Sequence, residues 1–154
     1  MQNAVDVAHA LGIAEPKVAM LAAVESLNYP AMPATLDAAL VARIAASGAI
    51  PNAIVEGPFA LDNVVSPTAA DKKKLGGRVA GCADILCGPE IETANVLYKA
   101  LQTFCGVTFA SVVVGASKPI AVPSRVDSMQ TKLMSIALAC LLSGKPCTTS
   151  SSSM

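Results

Sequence analysis

The chain has 154 residues, enough for one domain with a real core or for part of a larger one. More than half of them, 53%, are apolar, yet only 3% are aromatic and none is Trp. That excludes an aromatic-rich β-sandwich or a base-stacking surface and points to helices of Ala, Val, Leu and Ile laid on a buried parallel sheet. Eleven basic and eleven acidic residues balance to zero, which argues against a nucleic-acid or membrane-surface binder and for small molecules or another protein as partners.

Val5, Ala8, His9 and Leu11 before Gly12 predict an amphipathic helix that starts almost at residue 1 and stops on glycine. Val18 to Val24, after Glu15-Pro16, reads as a buried strand. Asn28-Tyr29-Pro30 and Pro33 form a loop into a second helix, carried by Leu36, Ala39, Leu40, Arg43 and Ile44 as far as Gly48. Ala53 to Val55 is the next short strand, which Glu56-Gly57-Pro58 is expected to end, and Leu61-Asp62-Asn63 follows as a polar loop. Ser66 is placed to cap a short helix with Pro67 in its first turn, closed by Asp71 and a solvated lysine run, Lys72 to Lys74.

Ile85 to Cys87 is an apolar run stopped by Gly88-Pro89, and Ile91, Asn95, Val96, Tyr98 and Lys99 then fall at helical spacing. This predicts strand, tight turn and helix, with Glu90 and Glu92 supplying negative charge to the first turn, where free N–H groups favour it. Thr108 to Val114 is strongly β-branched and reads as a strand ended by Gly115; Ile120 to Val122 is a last short strand or an extended connector. Pro123 to Ser128 has helix-start chemistry, and Leu133, Ile136, Ala137, Cys140 and Leu141 mark a long, nearly all-apolar helix. From Gly144 to Met154 the chain is low-complexity and is expected to be a disordered tail, leaving residues 1–143 as the domain. Four or so alternations of strand and helix predict an α/β fold, a three-layer α/β/α arrangement on a mostly parallel sheet.

Five cysteines, Cys82, Cys87, Cys105, Cys140 and Cys147, are odd in number and lack zinc-site spacing, so free thiols in a reducing compartment are expected. No basic segment leads into an apolar run at the amino end, and Ile136 to Leu142 falls far short of the roughly 20 residues that span a bilayer. The expected setting is the cytoplasm, without a membrane.

Ligands of open α/β sheets bind where strands end and helices begin, and three such tips stand out: Glu56 to Asn63, Gly88 to Lys99, and Pro123 to Lys132. In the last, a hydroxyl at Ser124, a guanidinium at Arg125 and free backbone N–H groups can converge on one anion such as phosphate. The plain alternative is that Ser124 or Asp127 caps the final helix and Arg125 makes a surface ion pair. For Gly88 to Lys99 the alternative is a helix start whose Asn95 and Tyr98 pack against a neighbour. Glu56 and Asp62 form a carboxylate pair only if the Gly-Pro turn brings them together. His9 reads as a partly buried imidazole rather than a base. Gly-rich phosphate loops, nucleophile elbows and metal-ligand clusters do not occur.

Four segments carry a more specific signal: Val55 to Asn63 (Val-Glu-Gly-Pro-Phe-Ala-Leu-Asp-Asn), Val79 to Leu86, Pro89 to Lys99 (Pro-Glu-Ile-Glu-Thr-Ala-Asn-Val-Leu-Tyr-Lys) and Pro123 to Ser128 (Pro-Ser-Arg-Val-Asp-Ser). Together, in this order and at this spacing, they resemble the phosphate acetyl/butyryltransferases over residues 1 to about 143. The Leu-Asp-Asn loop, and Asp127-Ser128 followed by Thr131-Lys132, are more similar to the butyryl branch.

That resemblance implies reversible transfer of a short acyl group between coenzyme A and inorganic phosphate, both as substrates, with no bound cofactor and no metal. It implies two α/β lobes of the isocitrate-isopropylmalate dehydrogenase-like kind with the site in their cleft, and assembly as a homodimer or with the missing lobe. The family's Ser-Arg pair falls on Ser124 and Arg125, which would bind phosphate or the acyl carbonyl and stabilise developing charge. Asp127 joins them as an implied catalytic residue; Asp62, Asn63, Pro89, Asn95, Tyr98, Lys99 and Ser128 are implied to line the substrate.

Departures from the family pattern also matter. Thr131 stands where the acetyl branch has a proposed carboxylate base, so either Asp127 substitutes or no base is needed, a thiol being already a few per cent thiolate at neutral pH. Ala94 replaces the usual Gly, its methyl tightening the approach to that helix start, and Glu90 replaces Asp or Asn. Family members run about twice as long, and this chain begins inside the second lobe. The expectation is therefore that alone it has little or no transferase activity. A remnant that binds coenzyme A or phosphate, or only self-associates, is the alternative; a regulatory domain like that on some malic enzymes is a third, opposed by the intact Ser124-Arg125 pair.

Overall fold

A computed structural model describes residues 1–144 and resolves them into two compact units, Met1–Ala100 and one beginning at Leu101. The first unit is built on a parallel sheet of three strands, β1 (Lys17–Leu21), β2 (Ile54–Phe59) and β3 (Ile85–Cys87), in the order β2-β1-β3. β1 is central, pairing Val18 with Val55 on one side and with Ile85 on the other.

Helices cover both faces of this sheet. Val18 and Met20 point one way, into a cluster with Val5 of α1 (Gln2–Ala10), Ala38 of α2 (Pro33–Ile44), Ala45 and Val55. Ala19 and Leu21 point the other way, to Phe59, Val64 of α3 (Leu61–Val65) and Val79, flanked by Leu86 and by Leu97 of α5 (Ile91–Cys105). A strand buried on both faces cannot alternate apolar with polar, which is why Val18 to Leu21 reads as an unbroken apolar run. The three layers expected from composition are present.

Local boundaries differ from expectation in three places. β1 stops at Leu21, short of Val24. β2 continues through Gly57-Pro58 to Phe59 instead of ending at Glu56. It is an edge strand, so a proline without an N–H is tolerated there, and the ladder to β1 shifts register between Ala19 and Leu21. Gly57 is required: at φ +157° a Cβ would lie 2.6 Å from the Met20 Cβ. Leu61-Asp62-Asn63 is the first turn of α3 rather than a loop. Ser66 caps α4 (Pro67–Lys72) as expected, its hydroxyl accepting from the Ala69 N–H at 3.3 Å.

In the second unit the β-branched run from Thr108 forms no strand among the described residues. Val113 and Ile120 make one isolated antiparallel bridge, with N–O distances of 2.8 and 2.9 Å. β-branched residues favour extended backbone, but a ladder also needs a partner strand, and three sheet strands are found instead of about four. α6 (Met129–Ser143) is capped by Ser128, which accepts from the Thr131 N–H at 3.1 Å; neither Ser124 nor Asp127 fills that role. Its buried positions are polar, Thr131 and Ser135, because the Ser135 hydroxyl takes the Ser111 N–H at 2.9 Å and donates to the Thr131 carbonyl. Leu133, Ile136 and Leu141 on the same helix are exposed. Gly144 is the C-cap of α6. The rest of the expected tail, with Cys147, lies outside the described residues.

Candidate active site

At the carboxyl edge of the sheet, α3 follows β2 directly and sets Asp62 and Asn63 beside Glu25, which comes from the segment after β1. Lys73, just past α4, completes the group: its ammonium is 2.9 Å from Glu25 Oε1 and 4.0 Å from Asp62 Oδ2. Asn63 is fully buried and its Nδ2 also donates to Glu25 Oε1, while its Oδ1 has no partner among the described residues. The Lys73 hydrogen bond lowers the Glu25 carboxyl below its ordinary range against the opposing effect of burial, and Glu25 in turn raises the Lys73 ammonium. An open cleft of about 330 Å³ adjoins this group, lined by Asp62, Ser66, Thr68, Ala69, Lys72 and Lys73. The lysine run is thus more than a solvated helix end.

Glu25 was not legible as a site residue, because nothing local in Val24-Glu25-Ser26 distinguishes it from a loop carboxylate. Glu56 does not pair with Asp62. Its carboxylate accepts the backbone N–H groups of Arg78 at 3.0 and 3.1 Å and of Val79 at 3.2 Å, and so pins the segment that leads toward β3. His9 hydrogen-bonds the Asn52 carbonyl at 3.0 Å, the structural role expected of it.

At the tip after β3, Pro89 is exposed and Glu90 closes the first turn of α5 itself. Its carboxylate accepts the N–H groups of Glu92 at 2.6 Å and of Thr93 at 2.8 Å, and the Thr93 hydroxyl. Hydrogen bonding with the Glu92 carboxyl first, then with the Thr93 hydroxyl and these amides, holds the Glu90 carboxyl down to about 2. A Cβ on Gly88 would lie 3.0 Å from the Ala94 methyl, so the turn is as tight as the Gly-to-Ala difference implies. Asn95 is exposed; Tyr98 and Lys99 are half-buried, with the Lys99 ammonium 4.6 Å from the Tyr98 ring centre.

In the second unit, Ser124 to Asp127 forms a closed turn. Asp127, only 6% exposed, accepts the Ser124 N–H at 2.7 Å through Oδ2 and the Gln102 amide at 2.9 Å through Oδ1, and its own N–H returns to the Ser124 carbonyl at 3.1 Å. One oxygen of that carboxylate closes the turn and the other ties it to Gln102 of α5. Ser128 spends its hydroxyl as the α6 cap and on Thr131 Oγ1 at 3.2 Å, leaving Thr131 buried behind it. Arg125 is exposed, and among the described residues no carboxylate lies within 4.0 Å of its guanidinium, so the surface ion pair does not form. Its carbonyl accepts the Lys132 ammonium at 3.3 Å. The result is a hydrogen-bonded turn that presents a guanidinium with no carboxylate partner among the described residues beside a half-buried serine.

Among the described residues no three His, Cys, Asp or Glu side chains are placed to hold a metal ion, and no helix is long and apolar enough to cross a membrane.

A family model described as "Phosphate acetyl/butaryl transferase" matches residues 1–140. The chain belongs to the phosphate acetyl/butyryltransferase family. A Bacillus subtilis relative named "Probable phosphate butyryltransferase" is 55% identical over 139 residues, 90% of this chain and 46% of the relative. The phosphate butyryltransferase of Clostridium acetobutylicum is 48% identical over 144 residues, 94% of this chain and 48% of that protein. Among solved structures, a branched-chain phosphotransacylase from Enterococcus faecalis superposes with a TM-score of 0.82 at 36% identity, covering 93% of this chain and 51% of the other.

The chain therefore spans about half the length of these relatives. The phosphate acetyl/butyryltransferase match contains all four segments singled out in the sequence, including the Ser124-Arg125 turn and the Asp62-Asn63 helix start.

Proposed function

We propose that this chain carries the anion-binding part of a phosphate acyltransferase site, moving a short acyl group, butyryl foremost, from coenzyme A to inorganic phosphate. The observation that carries this reading is the turn at Ser124 to Asp127: a backbone tied by a buried carboxylate in which, among the described residues, no carboxylate pairs with the Arg125 guanidinium. A guanidinium so held matches an oxyanion in charge and in fork geometry. As phosphate oxygen attacks the thioester carbonyl, negative charge grows on the carbonyl oxygen; Arg125 and the Ser124 hydroxyl stabilise it, and the C–S bond then breaks to release the coenzyme A thiolate. In the reverse direction the thiolate attacks the acyl phosphate, and the thiolate present at neutral pH makes a dedicated base unnecessary. Asp127 acts by fixing the turn. Asp62, Asn63, Pro89, Asn95, Tyr98 and Lys99 are the proposed substrate-lining residues of the first unit, Ser128 that of the second. Neither a metal nor a bound cofactor takes part, and the expected setting is the cytoplasm.

Because the relatives are twice as long, full turnover is proposed to need the rest of the fold, supplied by a longer product or a partner, with assembly as a dimer. Replacing the matching stretch of the Bacillus subtilis relative by this chain tests the reading. The chimera should release coenzyme A from butyryl-CoA in a phosphate-dependent manner, and Arg125→Ala should abolish release; a folded chimera without phosphate-dependent release would refute it. The isolated chain should turn over far more slowly than the chimera.

A further inference from the structure

We propose that Lys17 and Cys82 are a site of oxidative cross-linking, in which hydrogen peroxide converts the pair to a sulfenamide bridge between Nζ and Sγ. The Lys17 ammonium lies 3.2 Å from the Cys82 sulfur across a separation of 65 residues. Both side chains leave backbone that is locked in place. Lys17 opens the central strand, and its N–H and carbonyl are both tied to Asp84, through Oδ2 and the backbone N–H, at 2.8 Å each. On either side of the cysteine, the Gly81 N–H donates to the Asn63 carbonyl at 2.7 Å and the Ala83 N–H to the Val64 carbonyl at 3.1 Å. Gly81 has φ +76°, and a Cβ there would lie 2.7 Å from the Pro67 Cα, so the segment runs too close to α4 to shift. The thiol itself donates to the Arg78 carbonyl at 3.3 Å. Two reactive groups held in contact by rigid backbone react as one molecule rather than by encounter.

The remaining described thiols lack this arrangement. Cys87 is half-buried against the Gly88 carbonyl, and Cys105 and Cys140 are exposed with no lysine amine hydrogen-bonded to them. In the first step peroxide oxygen bonds to sulfur, the O–O bond breaks, and the departing hydroxide takes the thiol proton as water, leaving a sulfenic acid. In the second the Lys17 amine, having lost its ammonium proton to solvent, attacks that sulfur; the N–S bond forms, the S–O bond breaks, and the hydroxyl leaves as water with the second amine proton. One thiol, one amine and one peroxide thus give one N–S bond and two waters, sulfur losing the two electrons that peroxide gains. A thiol reductant reverses the bridge by attacking sulfur and returning the amine.

The bridge would form beside the amino ends of β1 and β3, and the proposal is independent of the acyltransferase reading. Closing so long a loop restricts the unfolded chain. Peptide mass spectrometry after peroxide treatment and tryptic digestion tests it. The expected result is a linked pair of peptides bearing Lys17 and Cys82, lighter by two hydrogens than their sum, uncleaved after Lys17, and a raised thermal midpoint that dithiothreitol reverses. Lys17→Arg keeps the charge and should halt the reaction at a dimedone-trappable sulfenic acid on Cys82, with no gain in midpoint; Cys82→Ser should remove both products. Cys82 left unmodified, Cys82 oxidised with Lys17 still cleavable, or a linked species that survives in Lys17→Arg would each overturn the proposal.

Discussion

Asp127 is the residue on which the candidate site turns, and its role is geometric. Two hydrogen bonds to a buried carboxylate fix the Ser124 N–H and the Gln102 amide, and removing the acceptor strands both donors. Asp127→Ala is expected to cost about 2 kcal/mol in urea denaturation, and Asp127→Asn, which keeps one carbonyl acceptor, to cost less. Glu90 supplies a pH signature at the same scale. Its carboxyl is held at about 2 in the fold against an ordinary 4.5, so it is ionised in the folded chain where the unfolded chain already binds a proton. Its stabilising contribution is fully present above pH 4.5 and is lost as pH falls toward 2; Glu25, lowered by Lys73, has the same sign. Thermal midpoints of the parent and of Glu90→Gln should differ at neutral pH and converge on acidification. A difference that widens in acid would contradict this.

Among the elements, β2 shows how a rule about one residue type yields to topology. Gly57-Pro58 resembles a strand terminator, yet the strand passes through it because its free edge asks nothing of the proline N–H, while Gly57 lets the neighbouring strand approach. Gly57→Ala forces a Cβ to within 2.6 Å of the Met20 Cβ, and calorimetry should show a loss of roughly 2 kcal/mol or more. Apart from α3, which read as a loop, the helices and β3 were legible because their signals are local: Ser66 and Pro67 start α4, Gly88-Pro89 separates β3 from α5, and helical spacing carries α2 and α6. Thr108 to Val114 was misread for the complementary reason. A strand is a property of two segments, and β-branching in one says nothing of the other. The candidate site divides the same way: Ser124 and Arg125 announce themselves at a helix start, whereas Glu25 meets Asn63 and Lys73 only when β1, α3 and α4 have packed, contacts across 38 and 48 residues that no motif encodes.

At the scale of the whole molecule, the fold seen in the first unit is a sheet covered on both faces, and the family match extends through the second unit to residue 140. The curated relatives are about twice as long as this chain. The central claim is the proposed one, that an oxyanion is the partner of Arg125, which has no carboxylate partner among the described residues. Isothermal titration of phosphate, coenzyme A and butyryl-CoA into the chain, beside its Arg125→Ala variant, tests that claim most directly. The parent is predicted to bind, and the variant to lose about 1.5–3 kcal/mol of affinity, the scale of a charged hydrogen bond. Equal affinities in the two proteins would contradict it.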